Sequence, residues 1–205
     1  MSTPRVHPAG AGGTEACAAI VIGGSSGAID ALMALLPGLP AALRAAVLVV
    51  LHIPRERPSR LVEIFQPHCR LALSEAHDQE ALAPGTLRFA PPDYHLLLDQ
   101  GPRTALSVDP LVNHSRPSID VLFESAADLL GERLVAIVLS GANDDGARGA
   151  AAVHEAGGLV IVQAPDSAAV PAMPQSALAR VPTPHVLAPA AIAGLLTQLH
   201  HEGRL

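Results

Sequence analysis

The sequence predicts a single α/β domain: a modified doubly wound, three-layer α/β/α sandwich whose mostly parallel sheet carries an inserted β-hairpin. Short runs made almost entirely of Ala, Val, Leu and Ile alternate with amphipathic segments, and glycine- or proline-rich turns join the two. Strands buried on both faces lose the alternation of apolar and polar residues and become continuous apolar runs. At 205 residues, the chain is long enough for one such domain and short for two.

The first elements follow from apolar runs and the prolines that end them. We predict strands at 18–23 and 46–51, with a helix at 28–36 between them that stops at Pro37. Pro58 opens a short helix, because a proline in the first turn gives up no hydrogen bond. Farther on, Pro-Gly, Pro-Pro and Gly-Pro pairs break the chain into short strands whose spacing indicates hairpins instead of βαβ units. These strands are predicted at 86–89, 95–98 and 105–108.

The remaining elements return to the alternating order. Ser118 is predicted to cap a helix that reaches about residue 130, with Asp120 favourably placed in its first turn. The later strands are predicted at 135–139, 159–162 and 185–187, and the later helices at about 146–156 and 189–200. Residues 1–16 are polar and rich in Pro, Gly and Ala, so we expect a flexible leader there and one domain over 17–205.

Composition excludes several classes of protein. The net charge is −6 and no stretch is densely basic, which argues against a nucleic-acid or anionic-membrane partner. We find neither an apolar signal segment nor a run of the ~20 residues that a membrane span needs, so we expect a cytoplasmic protein without membrane insertion. Cys17 and Cys69 form no C-x-x-C pair and are expected to be idle thiols. The histidines show no metal-ligand spacing, and we predict neither a metal nor a cofactor.

Chemically competent residues follow three of the predicted strands. Ser25 comes after the first strand, His52 directly after the second, and Asp144-Asp145 shortly after 135–139. Because ligands bind outside the carboxyl ends of strands in open α/β sheets, these groups can meet in one crevice. A serine, a histidine base and an orienting carboxylate are the set that nucleophilic acyl transfer requires. The pattern alone does not choose between the two aspartates.

Each residue also has an ordinary structural interpretation. Ser25 and Ser26 can cap the following helix, His52 can be a structural histidine at a strand end, and Asp145 can belong to a simple helix-capping turn. His95 and His114 can line the same crevice or lie in solvated loops. The conjunction of three such residues at three strand ends is what favours a catalytic triad.

Two enzyme classes share the segment VIGGSSGAID but fit the rest of the chain poorly. A short-chain dehydrogenase has a similar nucleotide loop, yet its Tyr-x-x-x-Lys pair has no counterpart: four positions after the single tyrosine, Tyr94, stands Leu98, and all 13 basic residues are arginine. The segment also fits the G-x-S-x-G of the α/β-hydrolases. In those enzymes several strands precede the nucleophile and the aspartate precedes the histidine, whereas here the order is reversed.

Six segments together resemble one specific family. AIVIGGSSGAIDAL, VVLHIP, FAPPDYHL, NHSRPSIDVLF, VLSGANDDGARG and AMPQSAL occur in the order and spacing of the catalytic domain of the chemotaxis protein-glutamate methylesterases, CheB. The resemblance implies hydrolysis of glutamyl γ-methyl esters on the cytoplasmic part of methyl-accepting chemotaxis receptors, with release of methanol. It also implies deamidation of some receptor glutamines as a second activity.

The resemblance assigns roles to individual residues. It makes Ser25 the nucleophile, His52 the base and Asp145 the orienting carboxylate, with Ser26 and Ala142 in the oxyanion and active-site loops. The family usually has threonine at Ser26. Its usual turn Thr-Gly-Met-Gly-x-Asp-Gly is replaced by SGANDDG, which begins at residue 140.

Three further residues depart from the usual pattern of the family. Asn143 stands where the family has glycine, and we expect it to keep the turn by adopting a positive φ, which asparagine tolerates best among the other residues. Gly24 and Ala28 stand where the family commonly has alanine and glycine, in that order.

The phosphorylation-controlled receiver domain of the usual enzyme has no counterpart in the short leader. We therefore expect constitutive activity or control by a separate response-regulator partner. Two other functions stay open: a catalytically silent module that binds receptors or signalling partners, and an esterase that acts on a protein other than a chemoreceptor.

Overall fold

The computed structural model describes residues 19–54 and 58–205. The predicted leader and Cys17 lie outside the described residues. Within them, the described chain has nine strands and six α-helices. The strands are β1 (Ala19–Gly24), β2 (Ala46–Leu51), β3 (Ala72–Glu75), β4 (Thr86–Phe89), β5 (His95–Asp99), β6 (Arg103–Ser107), β7 (Leu134–Val138), β8 (Leu159–Gln163) and β9 (His185–Leu187). The helices are α1 (Ala28–Leu35), α2 (Leu61–Phe65), α3 (Ile119–Leu130), α4 (Ala147–Glu155), α5 (Ala172–Leu178) and α6 (Pro189–His201).

Seven of these strands form one parallel sheet in the order β3-β4-β2-β1-β7-β8-β9. The other two, β5 and β6, pair antiparallel as a separate hairpin. This confirms the predicted fold class. The prediction of hairpins throughout 71–108 was wrong, however, because Thr86–Phe89 pairs parallel with both β2 and β3 inside the main sheet.

Two apolar cores cover the two faces of the sheet. Successive side chains of a strand point to opposite faces; accordingly Ile20 and Ile22 enter the core beneath α1, α2 and α6. Ala19 and Val21 enter the other core, beneath α3, α4, α5 and the hairpin. Because both faces of β1 are buried, all six of its residues are buried, which is why it is a continuous apolar run in the sequence.

Two elements were missed by the prediction. β3 is a partly exposed edge strand, ALSE, which offers no apolar run to detect. α5 is short and has Pro174 as its third residue, a residue that is tolerated in the first turn of a helix but gives no positive signal for one. The short helix after Pro58 begins at Leu61, later than predicted.

The central strand β1 creates the crevice in which the site lies. From β1 the chain continues through α1 to β2 on one side, while β7 lies on the other side. The connections therefore diverge at the carboxyl end of β1, where doubly wound folds bind their ligands. In the described ranges, no helix has the length and apolarity to cross a membrane.

Candidate active site

Ser25 lies between the ends of two neighbouring strands. Gly24, the last residue of β1, is in register with Leu51 of β2, so Ser25 and His52 follow side by side. The His52 backbone N–H donates to the Gly24 carbonyl at 3.1 Å, and the Ser25 N–H donates to the Ser140 carbonyl, just beyond β7, at 2.9 Å. Parallel pairing thus brings the predicted nucleophile and base to one edge of the sheet. The Ser25 side chain is half-exposed and its hydroxyl has no partner among the described residues.

The imidazole of His52 is held by a carboxylate. His52 Nε2 donates to Asp145 Oδ2 at 2.8 Å, and the side chains are 13% and 0% exposed. With Nε2 engaged, Nδ1 is the ring nitrogen left to accept a proton. Of the two adjacent aspartates that the pattern left open, Asp145 contacts the imidazole, whereas Asp144 is exposed to solvent.

Four further donors surround the Asp145 carboxylate, three of them at the start of α3. The backbone N–H groups of Ile119 and Asp120 donate to it at 2.7 and 3.1 Å, and the Ser118 hydroxyl donates at 2.8 Å. The Asn113 amide donates at 2.9 Å. Burial by itself raises the pKa of this carboxyl, but the bonds from His52, the Ile119 N–H, Asn113 and the Asp120 N–H outweigh it and hold the pKa below its usual range. The hydrogen bonds therefore favour the ionised form of Asp145 beside the imidazole.

This arrangement corrects the predicted role of Ser118. Ser118 does occupy the N-cap position of α3, but its hydroxyl donates to Asp145 instead of accepting from the helix. The free N–H groups at the start of α3 are satisfied by the Asp145 carboxylate. The structural alternative for Ser25 and Ser26 is likewise not observed, since Gly27 is the N-cap of α1 and no side chain caps that helix.

The backbone turn after β1 is fixed by Ser140. The buried Ser140 hydroxyl donates to the Ser26 carbonyl at 2.7 Å and accepts from the Val170 N–H at 2.9 Å. The Ser140 N–H donates to the side-chain oxygen of buried Gln163 at 2.8 Å. The Ser25 N–H also bonds the Ser140 carbonyl, so two consecutive residues of the turn after β1, Ser25 and Ser26, are anchored to the residue that follows β7. Gln163 gave no signal in the sequence, because it stands at the end of an apolar strand.

The loop after β7, residues 140–146, forms its turn in a different way from the one predicted. Asn143 was expected at a positive φ, but among the described non-glycine residues only Gln79, Asp93, Asn113 and His114 have one. Instead, the Asn143 side-chain oxygen accepts from the Asp145 N–H at 3.4 Å. The left-handed conformation falls on Gly146, with φ 90°. Ala142 is exposed.

The two remaining candidate histidines differ in their surroundings. His95 is 1% exposed, so the loop interpretation was wrong. Its Nδ1 accepts from the Ser118 N–H at 3.2 Å and its Nε2 donates to the Pro110 carbonyl at 3.1 Å, which makes it a structural residue. His114 is exposed and lines, with His52, a cleft of about 240 Å³.

Arg116 also lines this cleft, and its guanidinium is hydrogen-bonded to other residues of the protein. Its guanidinium bonds Asp93 at 2.8 Å and the carbonyls of Val108 and Asp109 at 2.6 and 3.0 Å, and so ties two loops together. In the parts of the chain that the structure describes, no group of three His, Cys, Asp or Glu side chains could hold a metal ion.

The fold and the site define a class: α/β enzymes in which a serine follows one strand and a carboxylate-bound histidine follows the neighbouring strand. Comparison with known proteins gives the family. The model of the family described as CheB methylesterase matches residues 20–196. The solved catalytic domain of the Thermotoga maritima CheB methylesterase superposes with a TM-score of 0.84 at 30% identity, covering 90% of this chain and 99% of that one.

Relatives from other bacteria agree. A Myxococcus xanthus protein-glutamate methylesterase/protein-glutamine glutaminase is 40% identical over 160 residues, which are 77% of this chain and 46% of that protein. A Leptospira interrogans protein, whose name gives the same two activities provisionally, is 39% identical over 181 residues, 88% of this chain and 94% of that protein. The chain therefore belongs to the CheB methylesterase family, a family of carboxylic ester hydrolases.

Proposed function

We propose that this protein is a protein-glutamate methylesterase that hydrolyses glutamyl γ-methyl esters on methyl-accepting chemotaxis receptors. The observation that carries the proposal is the pair formed by His52 and the buried, ionised Asp145 beside the half-exposed Ser25. A serine hydroxyl is a weak nucleophile unless a base takes its proton, and a carboxylate fixes the tautomer of that base and stabilises the imidazolium.

In the first half of the reaction, Ser25 Oγ attacks the ester carbonyl carbon and its proton passes to His52 Nδ1. The tetrahedral intermediate collapses with cleavage of the bond to the methoxy oxygen, which leaves as methanol with the proton from His52. In the second half, water loses a proton to His52 and attacks the acyl-enzyme. Ser25 leaves with that proton, and the product is a free glutamate side chain.

The developing oxyanion needs donors near Ser25, and we assign this role to the loops that contain Ser26 and Ala142. The Ser26 N–H lies just before the amino terminus of α1, where the helix dipole is positive. Ala142 lies in the loop that Ser140 bonds to the nucleophile turn. Backbone donors aimed at developing charge are among the largest contributions to catalysis.

The same site can deamidate glutamine, since an amide carbonyl undergoes the same attack and ammonia leaves in place of methanol. We propose this as the second activity, in keeping with the glutaminase in the names of the relatives. The substrate glutamates would lie on the cytoplasmic part of the receptor, which would place the reaction in the cytoplasm. We propose that residues 17–205 form the catalytic unit.

Methanol release tests the proposal. The pure protein is incubated with a methylated receptor fragment, and methanol is measured together with the loss of the methyl ester from the receptor. We expect release by the wild type and a decrease of at least about 10³-fold in Ser25→Ala. Ser176→Ala, in which a serine of α5 is replaced, is the matched control and should retain activity.

Undiminished methanol release by Ser25→Ala, or none by the wild type, would contradict the proposal. If the wild type releases no methanol but Ser25 reacts with a small activated ester, the protein acts on another protein substrate. An unreactive Ser25 would point to a catalytically silent binding module.

A further inference from the structure

The two helices beside the site cap each other through exchanged carboxylates. Asp145, just before α4, accepts from the N–H groups of Ile119 and Asp120 at the start of α3. Asp120, in the first turn of α3, accepts from the N–H of Gly149 in the first turn of α4 at 2.7 Å. Asp120 of α3 thus supplies an anion to the start of α4, and Asp145 in the turn before α4 supplies one to the start of α3. The catalytic carboxylate is half of this reciprocal pair.

A single side chain bridges the two carboxylates. Asn113 Nδ2 donates to Asp145 Oδ1 at 2.9 Å and to Asp120 Oδ2 at 2.9 Å. The amide nitrogen carries two hydrogens, so both are used. This position between two acceptors fixes the orientation of the Asn113 amide. If the amide were flipped, its oxygen would face the two carboxylates and would have no hydrogen to accept.

The bridge joins groups that otherwise repel each other. Asp120 is 2% exposed, and burial, with the nearby Asp145 charge, raises the pKa of its carboxyl despite the Gly149 and Asn113 bonds. The Arg148 guanidinium lies 3.8 Å away and is more closely paired with Glu124 at the surface. Asn113 is therefore the uncharged donor that stands between the two buried acids.

We propose that Asn113 is a positioning residue that aims the Asp145 carboxylate at His52, with Asp120 as its anchor on the far side. The inference rests on the proposed function, because it takes Asp145 as the orienting carboxylate. Neither Asn113 nor Asp120 contacts the reacting atoms. Their effect passes through Asp145 Oδ1, while Oδ2 bonds the imidazole.

The backbone at Asn113 decides which substitutions are informative. Its φ is 49°, in the left-handed region, where aspartate and glycine are tolerated and alanine is strained. Asn113→Asp preserves the shape of the side chain but replaces the double donor with a third carboxylate. Asn113→Gly preserves the turn and removes the bridge.

We expect Asn113→Gly to lower kcat about 10-fold and Asn113→Asp about 100-fold. The glycine variant only loses a hydrogen bond to a charged group, whereas the aspartate variant replaces that bond with repulsion between carboxylates, which costs more free energy. KM should change less than threefold in both. Asp120→Asn should also lower kcat at least about 10-fold: one of its orientations sets two amide nitrogens face to face, and the other leaves the Gly149 N–H without an acceptor.

A second readout does not depend on turnover. The His52 Nε2 proton, held against Asp145, should give a far-downfield proton resonance in the wild type. We expect this resonance to shift or disappear in Asn113→Asp and Asp120→Asn. Glu124→Gln, which breaks the surface contact between the same two helices, is the matched control and should retain both kcat and the resonance.

Wild-type kcat with an unshifted resonance in Asn113→Asp would overturn the inference, as would wild-type kcat in Asn113→Gly. Both variants keep the turn, so either result would show that Asn113 only forms the turn. If the wild type releases no methanol but the resonance still changes in the variants, the proposed function fails and the positioning role stands. Should Asn113→Asp fail to fold, Asn113→Gly and Asp120→Asn decide by the same two readouts.

Discussion

At the residue scale, Asp145 carries more of the site than any other side chain. It accepts five hydrogen bonds while fully buried, from His52, Asn113, Ser118 and the two N–H groups at the start of α3. A buried carboxylate is stable only when its charge is compensated in this way. One residue thereby holds the His52 imidazole and joins α3 to the loop before α4.

Asp145→Asn tests this role by retaining the size of the side chain and removing its charge. We expect kcat to fall about 10³- to 10⁴-fold, because an amide that donates to the imidazole favours the wrong tautomer of His52. Asp144→Asn, one residue away and exposed, should stay within about twofold of the wild type. Steady-state methanol release measures both. Equal activity of the two variants would contradict the assignment of Asp145.

At the element scale, the packing of β1 against α1 explains the exchanged small residues in the nucleophile turn. A β-carbon added to Gly24 would lie 2.5 Å from the Ala28 β-carbon. There is room for one methyl group between the end of the strand and the start of the helix. The family pattern that the resemblance implies has that methyl on the strand, and here it is on the helix.

Gly24→Ala should therefore destabilise the protein by about 1–3 kcal/mol through overpacking. Ala28→Gly should cost about 1 kcal/mol or less, since it weakens the first turn of a helix. The double variant should be more stable than the sum of the two losses predicts. Urea unfolding of all four proteins gives the coupling free energy, and strict additivity would show that the two positions do not share this space.

The same elements show how far sequence reasoning reaches. The apolar strands β1, β2, β7 and β8 could be predicted because burial on both faces leaves a continuous apolar run. The parallel placement of β4 could not, because its pairing with β2 and β3 is a long-range contact that local turn signals do not report.

Among the site residues, Ser25, His52 and Asp145 could be predicted from the sequence, because each follows the end of a predicted strand. The supporting bonds of Asn113, Ser118 and Ser140 depend on side-chain directions that only the packed helices define. NHSRPSIDVLF stood out as a motif, yet nothing in its letters indicates that two of its side chains and two of its backbone N–H groups bond the carboxylate of another loop.

At the scale of the whole molecule, the charge of Asp145 couples stability to pH. Its folded-state pKa is lowered, so its stabilisation is present above the unfolded value of about 3.9 and is lost as the pH falls through the folded value. Asp120 acts in the opposite sense, because a raised folded pKa favours its protonated form.

We expect the free energy of unfolding to fall less steeply on acidification in Asp145→Asn than in the wild type. Urea midpoints between about pH 6 and 2 measure this slope. Asp120→Asn should make the slope steeper, because it removes the opposing contribution. A slope unchanged by Asp145→Asn would mean that this carboxyl is not held ionised by the fold.

The central claim is that Ser25, His52 and Asp145 act as one nucleophilic unit, and covalent labelling tests it most directly. The protein is treated with a serine-directed fluorophosphonate, and the rate and position of the adduct are determined by mass spectrometry. We predict a single adduct on Ser25, none in Ser25→Ala, and labelling slowed by at least about 10²-fold in His52→Ala and Asp145→Asn. An adduct on another serine, or wild-type labelling of Ser25 without His52, would contradict it.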